Sequence, residues 1–253
     1  MWSLVLAQNI YDDPAFFEGY SQYPRSREGL AGAPEWPVLR SMLPPIDGRR
    51  VLDLGCGFGA FARWAREAGA ESVLGVDLSE KMLERARELT HDTKVEYRRV
   101  NLEELDLPND NFDLVFSSLA LHYLEDFGAL CKTVQSLLSP GGDFVFSVEH
   151  PIFTAPSNPG WRIEGDSSKT WPLDNYQFEG KRVTEWITPG VVKYHRTMST
   201  YINTLIEHGF SLSRVEEWAP SPEQAREEPR WADEYHRPTF LLIAAQTTRS
   251  CQS

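Results

Sequence analysis

A carboxylate and three glycines stand close together in the segment VLDLGCGFGAFARWA, residues 51–65. An apolar run leads to Asp53, the glycines Gly55, Gly57 and Gly59 follow, and an amphipathic run comes next. This order is typical of a buried strand, a tight turn and a helix. Glycines let the backbone approach a ligand closely, and the helix amino terminus favours a pyrophosphate or a carboxylate. The segment therefore predicts a site for an adenine-containing ligand.

The glycine turn fits two patterns that imply different chemistries. Gly55, Gly57 and Ala60 match the relaxed dinucleotide pattern G-x-G-x-x-G/A. With Gly59 in place of Ala60, the same turn matches G-x-G-x-G. Asp77 follows Gly59 by 18 residues, at the end of the next predicted strand, where a carboxylate can accept hydrogen bonds from an adenosine ribose. Both patterns share this acid, so Asp77 does not distinguish them.

Asp53 does distinguish the two patterns. It lies on the first strand, two residues before Gly55, and its carboxylate is expected to face the turn. A carboxylate would be repelled by a pyrophosphate, whereas it would attract the α-ammonium of a methionine moiety. An aspartate that merely caps the following turn is the alternative. Asp53 therefore favours a methionine-bearing ligand over a dinucleotide.

Asn101 is a second candidate contact for the ligand. It lies in RRVNLEEL, residues 98–105, just beyond the third predicted strand. A side-chain amide or a backbone N–H at that place could bind the edge of an adenine. A turn-forming asparagine is an equally good interpretation of this residue. The sequence leaves both open.

The elements that must position these residues follow from hydrophobic periodicity. Alternating apolar and amphipathic runs between residues 50 and 148 predict βαβ units on a parallel sheet. Strands are predicted at 50–54, 72–76, 94–99, 112–117 and 142–148, and helices near 58–69, from Ser79 onward, at 126–138 and at 198–208. The last strands, near 211–218 and 239–246, are joined by a polar loop containing proline, which favours an antiparallel pair.

The predicted fold class is therefore α/β. We expect a Rossmann-like, seven-stranded, mostly parallel sheet with a reversed last strand, helices on both faces and an aromatic lid insertion. Four regions are expected: an N-terminal aromatic cover segment at 1–45, a cofactor-binding core at 46–149, a lid and acceptor-binding insertion at 150–195, and a C-terminal completion of the sheet at 196–253. The insertion is expected to be irregular, because its hydrophobic periodicity disappears.

Composition excludes several classes of protein. The formal charge of −12 argues against a nucleic-acid partner, since a phosphate backbone favours a basic face. The three cysteines, Cys56, Cys131 and Cys251, are unclustered, so neither a disulfide framework nor a zinc site is expected. The apolar run at residues 2–7 is too short for a signal sequence, and no segment has the length of a membrane span. A cytoplasmic protein without a membrane partner is expected.

Four sequence blocks, in order and at the expected spacing, carry a family resemblance. They are VLDLGCGFG, GVDLSEKMLERARE, NLEELDLPNDNFDLVFSSLALHYLED and LLSPGGDFVFSVEHP. Together they resemble the class I S-adenosylmethionine-dependent methyltransferases, within them the type-11 small-molecule branch that includes ubiquinone and menaquinone methyltransferases. The resemblance covers residues 45–150 closely and the terminal strands loosely. It implies S-adenosylmethionine as cofactor, S-adenosylhomocysteine as product, and in-line methyl transfer to an O, N or C nucleophile of a small molecule.

The resemblance also implies roles for individual residues. The family's methionine-binding loop is matched by Asp53, Gly55, Gly57 and Gly59. Asp77 matches the acid that binds the ribose, and Leu78 and Met82 would lie beside the adenine.

Four further positions take roles from the resemblance, and one of them departs from the family pattern. Asn101 stands where the family often has an aspartate that accepts from the adenine amine, and an asparagine carbonyl can still accept. Leu102 would supply a backbone N–H to the adenine. Ser117 and Ser118 close the fourth strand, where the family's chain passes the methionine and the sulfonium.

Residues near the predicted methyl group are candidates for the chemistry. The candidate bases are His122, after the fourth strand, and the pair Glu149 and His150, after the fifth. A base is needed only if the acceptor must lose a proton early. Each candidate could instead be structural, anchoring a turn or the insertion. Candidate substrate contacts are Trp161 and Trp171, because the aromatic excess suggests a flat or apolar acceptor. Tyr123 and His195 are also candidate substrate contacts, and either could serve as the base.

The N-terminal cover segment offers three more cofactor contacts. Tyr11 and Tyr20 are candidates for hydroxyls that reach the methionine carboxylate or the acceptor, and Arg25 is a candidate partner for that carboxylate. Plain packing of a first helix is an equally good interpretation of each.

Two other functions share part of this pattern. An NAD(P)-dependent oxidoreductase would use the glycines and Asp77 but would leave Asp53 badly placed. A non-catalytic S-adenosylmethionine-binding protein would have little use for two aromatic cover segments. No metal is expected, because SSLAL at the end of the fourth strand offers no acidic ligand. The oligomeric state and the acceptor stay open.

Overall fold

A seven-stranded sheet forms the centre of the protein. The structure is a computed structural model that describes residues 8–107, 112–165 and 168–248. The five strands of the first half are β1 (Arg50–Leu54), β2 (Ser72–Asp77), β3 (Val95–Arg99), β4 (Phe112–Ser118) and β5 (Leu138–Glu149). The later strands are β6 (Arg162–Ile163), β7 (Lys169–Thr170), β8 (Gly180–Trp186), β9 (Thr188–His195), β10 (Phe210–Glu217) and β11 (Phe240–Thr247). The sheet order is β10-β11-β5-β4-β1-β2-β3.

Strand directions confirm the predicted fold class. Strands β1 to β5 pair in parallel, and β11 lies antiparallel to both β5 and β10. Strand β11 is thus the reversed strand of the sheet. The chain order changes direction between β4 and β1, and in open α/β sheets ligands bind outside the carboxyl ends of the strands at such a point.

Helices cover the sheet on both faces. They are α1 (Pro14–Ser21), α2 (Pro24–Arg27), α3 (Trp36–Ser41), α4 (Ala60–Glu67), α5 (Glu80–Leu89), α6 (Phe127–Leu137), α7 (Pro151–Thr154), α8 (Met198–Glu207) and α9 (Pro222–Glu227). One apolar core joins the sheet to α6 and α8, through residues such as Leu130, Val134 and Leu205. A second core joins the other face to α3 and α4, through Leu39 and Phe61.

Helix starts show how local sequence sets the elements. Helix α5 begins where the sequence predicted, directly after Ser79, whose side chain caps it by accepting a hydrogen bond from the Met82 N–H. Helix α4 starts at Ala60 rather than near residue 58, because Gly59 before it has a left-handed backbone with φ of 70°. Both helices begin just beyond the carboxyl end of a strand.

The insertion at 150–195 is more regular than predicted. It contains α7, the two-residue strands β6 and β7, and the long antiparallel hairpin of β8 and β9. On β9 the alternate residues Val191, Lys193 and His195 are buried. The expectation of an irregular segment was wrong because polar side chains on the buried face hide the two-residue period of a strand.

The connection between the last two strands also differs from the predicted loop. It contains α9 and a 3₁₀ helix, Pro229–Tyr235, although the antiparallel direction is as expected. The apolar run at residues 2–7 and Cys251 lie outside the described residues. Within the described ranges, none of the helices combines the length and apolarity that crossing a membrane requires.

Candidate functional site

A cavity of about 1230 Å³ opens at the carboxyl ends of β1, β2, β4 and β5. Its first part, here called the glycine-loop half, is lined by Gly55, Gly57, Asp77, Leu78, Met82, Asn101 and Leu102. Its second part, the aromatic half, is lined by Phe153, Trp161, Trp186, Trp231 and Phe240. The cavity therefore brings most of the predicted site residues together.

Asp77 organises the glycine-loop half. Its Oδ2 accepts a hydrogen bond from the Gly57 N–H at 2.9 Å, and its Oδ1 accepts one from the Ser79 N–H at 2.9 Å. Burial raises the pKa of Asp77, although these backbone hydrogen bonds oppose the shift. The carboxylate is thus held rigidly at the cavity wall, with lone pairs left for further donors.

Asp53 is buried beneath the glycine turn. Its Oδ2 has no hydrogen-bond partner among the described residues, and its side chain is 2% exposed. Burial, and then the negative charge of Asp77, raises the pKa of Asp53 to about 8. A small pocket beside it is also lined by Gly55, Tyr20 and Arg25. A cationic group placed there would stabilise the carboxylate.

Two positions of the turn require glycine, because a Cβ there would collide with a neighbouring side chain. A Cβ on Gly55 would lie 2.4 Å from the Ala120 Cβ, and Gly55 has a φ of +72°. A Cβ on Gly59 would lie 2.0 Å from the Tyr97 hydroxyl. Gly59 does not line the cavity, so it shapes the turn and the start of α4 without facing a ligand. Gly57 has only open space beside it.

Asn101 combines both interpretations that the sequence left open. It lines the cavity, and its Oδ1 accepts a hydrogen bond from the Glu103 N–H at 3.1 Å. It therefore forms a turn, and its amide still faces the space where Leu78, Met82 and Leu102 also lie.

The two serines of β4 have different positions. Ser117 is fully buried, and its hydroxyl donates to the Leu54 carbonyl at 2.8 Å. Its side chain does not line the cavity, so the predicted ligand contact of Ser117 is not supported. Ser118 does line it.

The N-terminal cover segment forms part of the cavity wall. The Tyr11 and Tyr123 hydroxyls lie 3.1 Å apart, and the rings of Tyr11 and Tyr20 pack edge to face. Burial raises the pKa of Tyr11, Tyr20 and Tyr123, so all three phenols stay protonated at neutral pH. Arg25 lines the cavity, but it pairs with the buried Glu35 at 2.9 Å.

Glu149 and His122 are the candidate bases that reach the cavity. The Glu149 N–H donates to His122 Nδ1 at 3.3 Å. Burial lowers the pKa of His122 to about 4, so its imidazole is neutral at pH 7. Because Nδ1 accepts a hydrogen bond, the proton of the neutral ring belongs on Nε2. His122 is therefore arranged as a hydrogen-bond donor rather than as a base.

His150 does not take part in the site, contrary to expectation. It is 3% exposed and does not line the cavity. Its Nδ1 accepts from the Ile152 N–H at 3.0 Å, and its Nε2 lies 2.9 Å from Glu217 Oε1. His150 caps α7 and anchors the start of the insertion, the structural alternative to catalysis.

His195 and Trp171 are also structural, so their predicted substrate contacts are not supported. His195 is fully buried, with Nδ1 at 2.8 Å from Thr154 Oγ1 and Nε2 at 2.9 Å from the Tyr176 carbonyl. The Trp171 indole donates to the Ile152 carbonyl at 3.0 Å. Neither side chain lines the cavity, whereas Trp161 and Tyr123 do.

Several cavity residues were not predicted from the sequence, among them Lys193, Trp186 and Arg237. Lys193 forms a buried ion pair with Glu149 and lies over the Trp186 ring at 4.8 Å. Arg237 pairs with Glu234 at 2.9 Å and lies over aromatic rings of the insertion. No local pattern indicates either cation, because the polar side chains on the buried face of β9 hide its two-residue period and Arg237 lies in an irregular connection. Among the described residues, no cluster of side chains suits a metal ion.

Comparison with known proteins gives consistent matches. A family model for a methyltransferase domain matches residues 52–146. The crystal structure of an S-adenosylmethionine-dependent methyltransferase from Mesorhizobium loti is 56% identical, with a TM-score of 0.83, and the match covers 86% of this chain and 100% of that chain.

Two curated relatives extend this result. An uncharacterized protein of Haemophilus influenzae is 37% identical over 251 residues, which is 94% of this chain and 96% of that protein. A ubiquinone biosynthesis O-methyltransferase of Bordetella avium is 38% identical over 116 residues, which is 45% of this chain and 47% of that enzyme. The similarity to the proteins from Mesorhizobium loti and Haemophilus influenzae thus extends well beyond the glycine turn.

Proposed function

The chain belongs to the class I S-adenosylmethionine-dependent methyltransferases, and from this premise we propose that it methylates a small, apolar or aromatic molecule. One observation carries the proposal. A single cavity joins a glycine-loop half, lined by Asp77, to an aromatic half, lined by Trp161. Mostly apolar pockets with a few convergent polar groups are typical of small-molecule sites. The acceptor atom is an O, N or C nucleophile.

The residues of the glycine-loop half, and Asp53 in the small pocket beside it, fit S-adenosylmethionine. The unpartnered, buried Asp53 Oδ2 suits the α-ammonium, since a buried carboxylate otherwise stays protonated. The Asp77 carboxylate suits the ribose hydroxyls, and the apolar Leu78 and Met82 suit the faces of the adenine. When bound, the cofactor supplies an electrophilic methyl group and leaves as S-adenosylhomocysteine.

Other residues of the cavity support the same assignment. The open space beside Gly57 leaves room for the ligand, and Asn101 and Leu102 line the cavity close to Met82. Tyr20 and Arg25 line both the large cavity and the small pocket at Asp53, which suits the methionine carboxylate.

The chain contributes mainly alignment and exclusion of water to the transfer, because a reactive methyl donor needs a well-placed acceptor. Contacts run from Tyr20 through Tyr11 to Tyr123, and then to Lys193 beside Glu149. These contacts link the wall of the glycine-loop half to the point where an acceptor would approach. The neutral His122 is suited to donate a hydrogen bond there.

The N-terminal cover segment and the insertion together act as a lid. The Trp186 indole donates to the Tyr23 hydroxyl at 3.2 Å, and its ring packs on Phe16. The Gln8 side chain donates a hydrogen bond to the Gly190 carbonyl and accepts one from the Val192 N–H, both on the hairpin. The two segments meet each other, so opening one would loosen the other. Such closure protects a reactive donor from water.

A ligand panel followed by a transfer assay tests the proposal. Thermal unfolding is measured with S-adenosylmethionine, S-adenosylhomocysteine, NAD⁺ and NADP⁺ at about 100 times the dissociation constant, where stabilisation is about 2.7 kcal/mol. Stabilisation by the first two only, followed by methyl transfer to an aromatic acceptor detected by mass spectrometry, is the expected result. Stabilisation by a nicotinamide nucleotide alone would overturn it and favour an oxidoreductase. Binding of S-adenosylmethionine without transfer to any acceptor of a broad panel would favour a non-catalytic role.

A further inference from the structure

The wall of the cavity contains a buried ion pair between the ends of two distant strands. Glu149 ends β5, Lys193 lies on β9, and the Lys193 ammonium contacts Glu149 Oε1. The Lys193 side chain is 5% exposed and that of Glu149 13%. Both residues line the cavity. Burying two charges costs free energy that an apolar pair would not, so this pair is a weak contributor to stability. Its position in the cavity wall points to a role with a ligand.

The rings nearest the pair carry no charge, and the Arg237 guanidinium interacts with Glu149 from a greater distance. The Lys193 ammonium lies 4.8 Å from the centre of the Trp186 ring and 5.9 Å from that of Tyr123. The His122 imidazole, which accepts from the Glu149 N–H, is neutral at pH 7. The phenols of Tyr11 and Tyr123 are protonated. One proton acceptor and one cation thus lie side by side among neutral rings.

We propose that Glu149 and Lys193 select an acceptor whose methyl-accepting atom is the oxygen of an acidic hydroxyl, such as a phenol or an enol. This inference rests on the proposed methyl transfer. Glu149 takes the proton of the hydroxyl, and the Lys193 ammonium stabilises the oxyanion. A charge-assisted hydrogen bond of this kind is stronger than a neutral one.

The chemical step balances without a further reactant. The acceptor oxygen gives its proton to the Glu149 carboxylate and forms a bond to the methyl carbon. The electron pair of the broken carbon–sulfur bond stays on sulfur, so the donor loses its positive charge. The proton then leaves Glu149 for water, and the pair with Lys193 is restored.

The same geometry disfavours an amine as acceptor. An ammonium would be attracted to Glu149 and to the faces of Trp186 and Tyr123. Lys193 already fills that place with the chain's own ammonium. A second cation would be repelled there, so a cationic amine is excluded from the position that a phenol can take.

A binding experiment with a coloured phenol tests the role of Lys193 without relying on turnover. para-Nitrophenol is titrated with pH in the presence of the protein and S-adenosylhomocysteine, and absorbance reports the fraction of phenolate bound. The wild-type protein is expected to prefer the phenolate over the phenol by about tenfold or more. In Lys193→Met this preference is lost, whereas Lys193→Arg keeps most of it because the charge remains.

Lys181→Met is the matched control, because Lys181 lies exposed on β8 of the same hairpin. It is expected to behave like the wild type. Equal preference in the wild type and Lys193→Met, or no binding of para-nitrophenol to protein that binds S-adenosylhomocysteine, overturns the inference.

A product test separates this inference from the proposed function. Matched phenols, anilines and alkyl amines are incubated with S-adenosylmethionine, and the methylated atom is identified by mass spectrometry and NMR. O-Methylation supports the inference. N- or C-methylation overturns it while leaving the proposed methyl transfer intact. No transfer to any of these acceptors by protein that binds the cofactor counts against the proposed function itself.

Discussion

The two halves of the cavity are assembled in different ways. In the glycine-loop half, Asp77 is fixed by backbone N–H groups of the turn and of the start of α5, at Gly57 and Ser79. In the aromatic half, polar side chains fix one another across long stretches of chain, as Glu149 and Lys193 do. Backbone N–H donors do not depend on the residue type that supplies them, whereas a side-chain pair depends on the identity of both residues. The comparison suggests that the first half holds an unvarying donor and the second decides the acceptor.

The largest effect is expected from Glu149→Gln. The amide keeps the shape of the side chain but cannot take a proton, so kcat for a phenolic acceptor should fall by about 10²–10⁴-fold. Affinity for S-adenosylhomocysteine, measured by calorimetry, should stay unchanged because the change lies in the aromatic half. His150→Gln is the matched control, expected to lower stability by about 1 kcal/mol through loss of a helix cap and to leave kcat intact. A greater loss of kcat in His150→Gln would reverse the assignment of the two residues.

The next largest effect is expected in the glycine-loop half. Asp77→Ala removes the proposed acceptor of the ribose hydroxyls and the acceptor of two backbone N–H groups, so affinity for S-adenosylhomocysteine should fall by about 100-fold. Calorimetry at a single pH measures this affinity. Glu88→Gln, at an exposed carboxylate near the end of α5, is the control and should bind normally. Tight binding by Asp77→Ala would contradict the placement of the donor.

A pH dependence of about tenfold per unit is expected from Asp53. Its pKa is raised from 3.8 to about 8, so the ligand-free protein carries this proton at pH 7 and must release it to bind an ammonium. Affinity for S-adenosylhomocysteine should therefore rise between about pH 6 and about pH 7.5, with proton release seen by calorimetry in buffers of different ionisation enthalpy. In Asp53→Asn both the slope and the proton release should disappear.

The raised pKa of Asp53 also makes the stability of the ligand-free protein fall as the pH rises, whereas the affinity for the ligand increases. The folded, ligand-free state holds the Asp53 proton that the unfolded chain has lost, so this group's contribution is fully present below about pH 4 and is lost as the pH rises through about 8. Thermal unfolding of Asp53→Asn should lack this decline. An equal decline in wild type and variant would mean that Asp53 titrates normally.

The smallest effects are expected from two neighbouring tryptophans. Trp161→Ala removes a ring from the aromatic half and should weaken binding of an aromatic acceptor by a few-fold to about tenfold. Trp171→Phe loses a hydrogen bond to the Ile152 carbonyl and should cost about 1 kcal/mol of stability without changing acceptor binding. Acceptor affinity and thermal unfolding separate the two. The reverse outcome would place Trp171 at the acceptor instead.

Corrections to the sequence-based expectations fall mainly in the aromatic half. Asp53, Asp77 and Ser79 were placed correctly because a strand, a glycine turn and a capped helix lie within one short stretch of chain. His150 was expected at the site because it follows the fifth strand, and His195 was a candidate in the insertion, for which no strand was predicted. Their partners, Glu217 and Thr154, come from elsewhere in the chain and turn both rings away from the cavity.

The sequence by itself determined the fold class, the family and the glycine-loop half, since those depend on local periodicity and on residues a few positions apart. Only the tertiary structure decided which acidic, basic and aromatic groups meet in the aromatic half of the cavity. Lys193 reaches Glu149 because a hairpin of the insertion folds back over the sheet, and Arg237 reaches Trp161 across the same cavity. The physical reason is that such pairs form across large separations in the chain, where the pattern of neighbouring residues carries no information about the partner.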